Sequence, residues 1–217
     1  MMLSFFFFCW LLVVARSFEA PLKTSYSSLK LYAQFGGRTG CCVKADSYLE
    51  TLSSARRPKE PSEAESWHLD WVALLDASLR KRRGKGLPIE GVTQESCEAL
   101  FKSESLVVVS HDTLDGPEGP IFNYATQAAL KLWELDWTSF VKLPSRYSAE
   151  EDERAQRAIF MDAVKKNGYC DNYNGIRVSS TGKRFRINDV IIWNVDDKEG
   201  HLTGQAAMFH LDDVLFL

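Results

Sequence analysis

The spacing of apolar residues changes period along the chain. Helical spacing of three or four marks segments such as 66–83 and 126–135, whereas in the last third, beyond residue 175, apolar positions alternate. Trp67, Trp71, Leu74, Leu75 and Leu79 form one stripe. Residues 66–83 are therefore expected to form an amphipathic helix with Ser66 at its N-cap. A helix this short gains little alone, so its stripe must dock on the domain or on a second copy. Lys81, Arg82 and Arg83 fall near its C-terminus, where cations suit the helix dipole.

Residues 95–102 predict a short helix and residues 106–111 (LVVVSH) a buried strand. Gly116, Pro117, Gly119 and Pro120 carry turn chemistry, and residues 121–124 supply a second strand, which closes a hairpin. Thr126 and Gln127 open a helix whose Ala129, Leu132, Trp133 and Leu135 share a face. Asp136 or Thr138 starts a further turn through Phe140, and Pro144 stops it. Ser148 with Glu151 reads as a capping box for a helix that ends at Asn167-Gly168.

Three strands are predicted at 175–180, 184–195 and 202–211, joined by turns of hairpin length. On the middle one Phe185, Ile187, Ile191, Trp193 and Val195 fall on one face, interrupted by Asp189. Arg184, Arg186 and Asn188 fall on the other. The order of elements predicts an α+β fold, a five-stranded antiparallel sheet with helices on one face, preceded by the amphipathic helix.

The amino-terminal region follows different rules. Residues 5–14 (FFFFCWLLVV) are strongly apolar but too few to span a bilayer core, which needs about 20. They have the length of a signal-peptide core, and Ala15 and Ser17 follow at cleavage-like spacing. Residues 18–54 are rich in Ser, Thr, Lys and Arg and poor in acids, as transit peptides are. The junction ARSFEAP resembles the ASAFAP-type motif of bipartite plastid leaders in algae, with Phe18 just after the cleavage point. The expected organisation is a signal peptide at 1–17, a transit-like segment at 18–54, a linker at 55–65 and a domain at 66–217. Plastid delivery is expected, with secretion as the alternative, and no membrane span in the mature chain.

The 26 basic and 29 acidic residues nearly balance, and no basic face gathers, which argues against nucleic-acid binding. The five cysteines show no C-x-x-C spacing and no Cys/His cluster, so no zinc site is expected. Only Cys97 and Cys170 fall in the domain, which argues against a disulfide framework.

Several motifs together resemble the MEKHLA family, a PAS-related domain. They are Ser110-His111, Ile121-Phe122-Asn123-Tyr124-Ala125, Ala128-Ala129-Leu130 and Leu143-Pro144-Ser145-Arg146 with Ser148-Ala149-Glu150. The match continues at Tyr173, Gly175-Ile176-Arg177, Gly182, Arg184-Phe185-Arg186-Ile187, Trp193-Asn194 and Gly204-Gln205-Ala206-Ala207. Thr126 stands where Asn is usual, and the family's closing Trp is missing. The resemblance implies a non-enzymatic sensory or interaction module that binds a small ligand or a protein partner. It also implies a homodimer route through the helix at 67–79.

The residues narrow the chemistry. Haem needs an axial ligand, usually His, and no histidine lies between His111 and His201. The flavin photosensor motif GRNCRFLQ is absent, and Cys170 lies past the helices that would carry it. Haem and flavin are thus disfavoured, and no cofactor is assigned. Arg146, Arg177, Arg184 and Arg186 suit carboxylate or phosphate. With Asn123, Tyr124, Trp193 and Gln205 they are the candidate ligand-binding residues, against the alternative of cross-strand salt bridges. Neighbouring strand residues point to opposite faces, so Ser110-His111-Asp112 cannot form a proton relay. His111 is expected in a turn or at the surface. No catalytic residue is assigned. The rival reading, a small-substrate isomerase or dehydratase, would rest on Asp189 as its pocket acid.

Overall fold

A computed structural model describes residues 57–113, 119–151 and 153–217. The expected signal peptide and transit segment lie outside the described residues. Six strands form one antiparallel sheet: β1 (Leu106–Asp112), β2 (Phe122–Ala125), β3 (Tyr169–Val178), β4 (Arg184–Asp196), β5 (Leu202–His210) and β6 (Val214–Phe216). The main path runs β2-β1-β5-β4-β3. These are the expected five strands. The short β6 joins because β4 is long enough to pair with β5 over its second half and with β6 over Phe185, Arg186 and Ile187. The helices are α1 (Leu69–Arg83), α2 (Gln94–Phe101), α3 (Gln127–Trp133), α4 (Trp137–Phe140) and α5 (Arg154–Asn167).

The apolar stripe of α1 docks on the sheet of its own chain. Val72, Leu75 and Leu79 are fully buried. The Trp193 indole donates to the Leu75 carbonyl at 3.2 Å, and the Trp71 indole donates to Ser110 Oγ at 3.0 Å. The basic end of the helix is also tied down, because Arg82 grips both oxygens of Asp196 at 2.8 Å. Meanwhile Asn194, the neighbour of Trp193, donates to the Lys165 carbonyl of α5 at 2.9 Å. Adjacent strand residues point to opposite faces, so α1 and α5 sandwich the sheet. Helices thus cover both faces, with α2 packed beside the leading helix on the side away from α5.

The start of α1 differs from expectation. Ser66 is not its N-cap; it lies in a 3-10 segment, and Ser66, Trp67 and His68 all have positive φ, near 50°. This left-handed turn swings Trp67 against Phe101, with ring centroids 6.1 Å apart. The capping box at Ser148 is also absent. Ser148 sits in a 3-10 turn and donates to the Ser145 carbonyl at 2.8 Å, while α5 begins only at Arg154. The predicted stop at Gly168 is present, with φ 92°.

A bulge corrects the reading of β4. Asp189 has φ 51°, and the β3–β4 register shifts between Tyr173 and Gly175. One extra residue reverses the alternation beyond it. Val190 and Ile192 therefore join Phe185 and Ile187 on the α5 side, while Ile191, Trp193 and Val195 turn towards α1. Asp189 itself is exposed.

Candidate functional site

Between the sheet and α5 lies a cavity of about 40 Å³. A water-sized group needs roughly 10–15 Å³, so a few such atoms fit. Phe122, Ile192, Ala207 and Phe209 are among its apolar walls. Arg157, Arg177, Tyr173, His111 and Gln205 bring polar groups to it.

The β3 residues are arranged by a glycine. Tyr173, Gly175 and Arg177 alternate onto one face, and Arg177 Nη2 donates to the Tyr173 hydroxyl at 3.1 Å across Gly175. A Cβ on Gly175 would lie 2.5 Å from that hydroxyl and 2.9 Å from Arg177 Nη1, so only glycine leaves the gap. Arg177 Nη1 also donates to the Ile176 carbonyl at 2.9 Å, and its guanidinium lies 5.3 Å from the centre of the Tyr173 ring. The ring packs in turn on Phe160 of α5, 4.4 Å between centroids. Arg177 is thereby buried with its fork held in place.

Arg157 comes from α5. Its Nε is buried without a hydrogen-bond partner, and among the described residues no carboxylate pairs with either Arg157 or Arg177. Burial, and next the neighbouring Arg177 charge, hold Arg157 below the usual guanidinium range. Trp133, another wall, leaves its buried Nε1 unpaired as well. Each orphaned buried donor costs about 1–3 kcal/mol. Arginine and tryptophan donate and never accept, so what these orphaned groups lack is an acceptor.

His111 faces the same space. Its Nδ1 lies 2.8 Å from the Asp112 carbonyl and so carries the proton, which leaves Nε2 as an acceptor. Burial pushes its pKa down to about 4, and the Arg157 charge adds to this, so the ring is neutral at pH 7. Gln205 donates to Asn194 Oδ1 at 2.9 Å and to the Met161 carbonyl at 3.4 Å. Asn194 then satisfies the Lys165 carbonyl, one of the unpaired groups at the C-terminal end of α5. This relay ties α5 over the cavity.

The MEKHLA domain model matches residues 69–211. The chain belongs to the MEKHLA family. No curated protein matches the sequence. Among solved structures, the LOV protein of Rhodobacter sphaeroides is 18% identical with a TM-score of 0.42, over 52% of this chain and 63% of that one. An RNA-binding Light-Oxygen-Voltage receptor is 14% identical with a TM-score of 0.44, over 54% and 32%. The PAS domain of a protein from Colwellia psychrerythraea is 10% identical with a TM-score of 0.46, over 54% and 95%. The chain thus spans less than two thirds of either LOV-type chain. Likeness at this level carries no functional information.

Of the residues expected to bind a ligand in this MEKHLA domain, Arg177 and Gln205 line the cavity. The others lie elsewhere. Asn123 accepts from Ser110 Oγ at 2.6 Å, on the α1 side. Tyr124 is fully buried beside His68 and Trp137, and burial raises its hydroxyl's pKa. Trp193 anchors α1. Arg146 donates to the Tyr147 hydroxyl at 2.9 Å, Arg184 is exposed and pairs with Glu150, and Arg186 is exposed. Asp189 is exposed on its bulge, outside the cavity, and so is not a pocket acid.

Ser110 and His111 do point to opposite faces, but His111 is buried in the cavity rather than at the surface. Arg157 was not singled out from the sequence. Its signal is an arginine at helical spacing with Phe160, Met161 and Val164, a charge within the apolar stripe of α5. Cys170 is outside the cavity lining, and its half-buried thiol donates to the Asp171 carbonyl at 3.0 Å. Asp197, Glu199 and His201 bring potential metal-ligand atoms within 4.8 Å of one another in the β4–β5 turn, where Asp197 accepts from the backbone of both others. Among the described residues no helix is long and apolar enough to cross a membrane.

Proposed function

We propose that this MEKHLA domain is a non-enzymatic sensory module that binds a small molecule between its sheet and α5. The observation that carries this reading is the cavity whose buried donors lack an acceptor. A space of about 40 Å³ suits a few atoms and is small for a haem or flavin ring system. The sheet offers a route for the signal, because Asn194 touches α5 on one side while Trp193 holds α1 on the other. A protein partner, or a second copy of the chain, would read the outer face of α1, since Val72, Leu75 and Leu79 are occupied by the sheet. The rival enzyme reading has lost its acid with the exposure of Asp189.

Native mass spectrometry of the full chain, with an absorption spectrum, tests the proposal. The wild type should carry a bound mass that Ala207→Phe, which fills the cavity, loses while keeping its circular dichroism. Identical spectra for the two proteins would sink it. The leader supports plastid delivery, and a fluorescent fusion of residues 1–54 that stayed in the secretory pathway would refute that part.

A further inference from the structure

The cavity holds two arginines and no carboxylate. Resting on the reading of the cavity as a ligand site, we propose that its ligand is a small organic monocarboxylate. The carboxylate would be received by Arg157 and Arg177, and its apolar body would lie against Phe122, Ile192 and Phe209.

Four observations converge. The guanidinium groups come from different elements, α5 and β3, and no acid among the described residues neutralises either. Two like charges in a poorly hydrated space repel, so an anion bound between them relieves a strain that the fold otherwise carries. The unpaired groups, Arg157 Nε and Trp133 Nε1, are donors, and a carboxylate is an acceptor with about four lone-pair sites. Finally, the walls are mostly apolar, so inorganic phosphate or sulfate would press polar oxygens against hydrocarbon, whereas an organic acid presents carbon there. Arg177 is already oriented by Tyr173 across Gly175, so less freedom is lost when the anion arrives.

The test is thermal melting and calorimetric titration of the full chain with propionate, its neutral isostere propionamide, and inorganic phosphate. Propionate should raise the melting temperature saturably, and propionamide and phosphate should not. Arg157→Gln should weaken propionate binding by roughly tenfold or more. The same variant should melt higher than the wild type without ligand, because it removes a half-buried charge whose Nε is buried without a partner. Arg157→Lys should weaken binding while keeping the charge.

The inference fails if no straight-chain acid from acetate to hexanoate binds saturably, or if propionamide or phosphate matches propionate. It fails equally if Arg157→Gln leaves the affinity unchanged. These failures are separable from failure of the ligand-binding reading. A neutral bound mass lost in Ala207→Phe would keep that reading and remove the carboxylate. No difference between Ala207→Phe and wild type in any assay would remove both.

Discussion

The indole of Trp193 donates to the main-chain carbonyl of Leu75, 118 residues away in sequence, at 3.2 Å. That bond crosses from the second half of β4 to α1, and both residues are fully buried. The leading helix is therefore part of the folded unit. Leu75→Ala should lower stability by about 2–5 kcal/mol, the usual range for a truncated core leucine. Trp193→Phe should cost about 1 kcal/mol for the hydrogen bond, plus the space the larger ring filled. Urea unfolding followed by circular dichroism measures both. A loss below 1 kcal/mol for Leu75→Ala would mean that α1 is only loosely docked.

Two glycines separate fold from site. A Cβ at Gly204 would sit 2.2 Å from the His111 backbone carbonyl, and backbone in a paired strand cannot step aside. Gly204→Ala should therefore part the end of the β1–β5 ladder and markedly lower the melting temperature. At Gly175 the intruding Cβ meets the ends of two side chains, Tyr173 and Arg177, rather than backbone. Gly175→Ala should cost less stability than Gly204→Ala, while it breaks the Tyr173–Arg177 hydrogen bond and weakens ligand binding. Melting curves of both variants beside propionate titration check the contrast.

His111 makes the fold acid-sensitive. In the folded chain its pKa is about 4, against 6.5 ordinarily, because of burial and the facing Arg157, opposed by the Asp112 carbonyl and carboxylate. A lowered histidine pKa means that the unfolded chain takes up the proton first as pH falls. Stability tied to this ring is thus fully present above pH 6.5 and is lost between 6.5 and 4. The loss is on the order of 3 kcal/mol. His111→Gln should flatten the dependence in that window. Urea midpoints from pH 4 to 8 give the slope, and an unchanged slope in the variant would remove His111 as its source.

Glu134 acts at lower pH. Hydrogen bonds from Lys183, Thr181 and Ser179 hold its carboxyl down to about 2. Its contribution is present above its ordinary value of 4.5 and is lost as pH falls towards 2. Glu134→Gln should remove that lower limb while leaving the histidine window intact, which a pH series of melting temperatures resolves.

Positive φ values at exposed positions invite glycine. Ser66 (φ 49°) and Asp189 (φ 51°) are both exposed and left-handed. Ser66→Gly should hold or raise stability, by up to about 1 kcal/mol, because the left-handed strain of a Cβ disappears. Asp189→Val should lower it by about 1–2 kcal/mol, since a β-branched residue fits that region worst. Denaturant midpoints for both give the answer.

Secondary structure in this chain was legible wherever the pattern was long. The stripe of α1, the run at 106–111 and the last strands appear where their periodicity put them, and Gly168 ends α5 as its φ requires. Legibility failed where one residue reset the pattern. Asp189 reads as an acid in an apolar row, but as a bulge it turns itself outwards and carries Val190 and Ile192 to the cavity side. Ser66 and Ser148 have the chemistry of caps, but a left-handed turn and a 3-10 turn use them otherwise.

The sequence by itself determined the class of fold, the MEKHLA family and the kind of side chain available for binding. Those follow from local periodicity and motif, which are properties of neighbours along the chain. Only the tertiary structure decided which arginines meet. Arg184 and Arg186 stand beside Arg177 in the motifs yet end in solvent, while Arg157, from a different element, shares its cavity. Strand register and helix docking set that choice. A one-residue shift in register turns a side chain from the cavity to the other face, and short-range patterns do not record it.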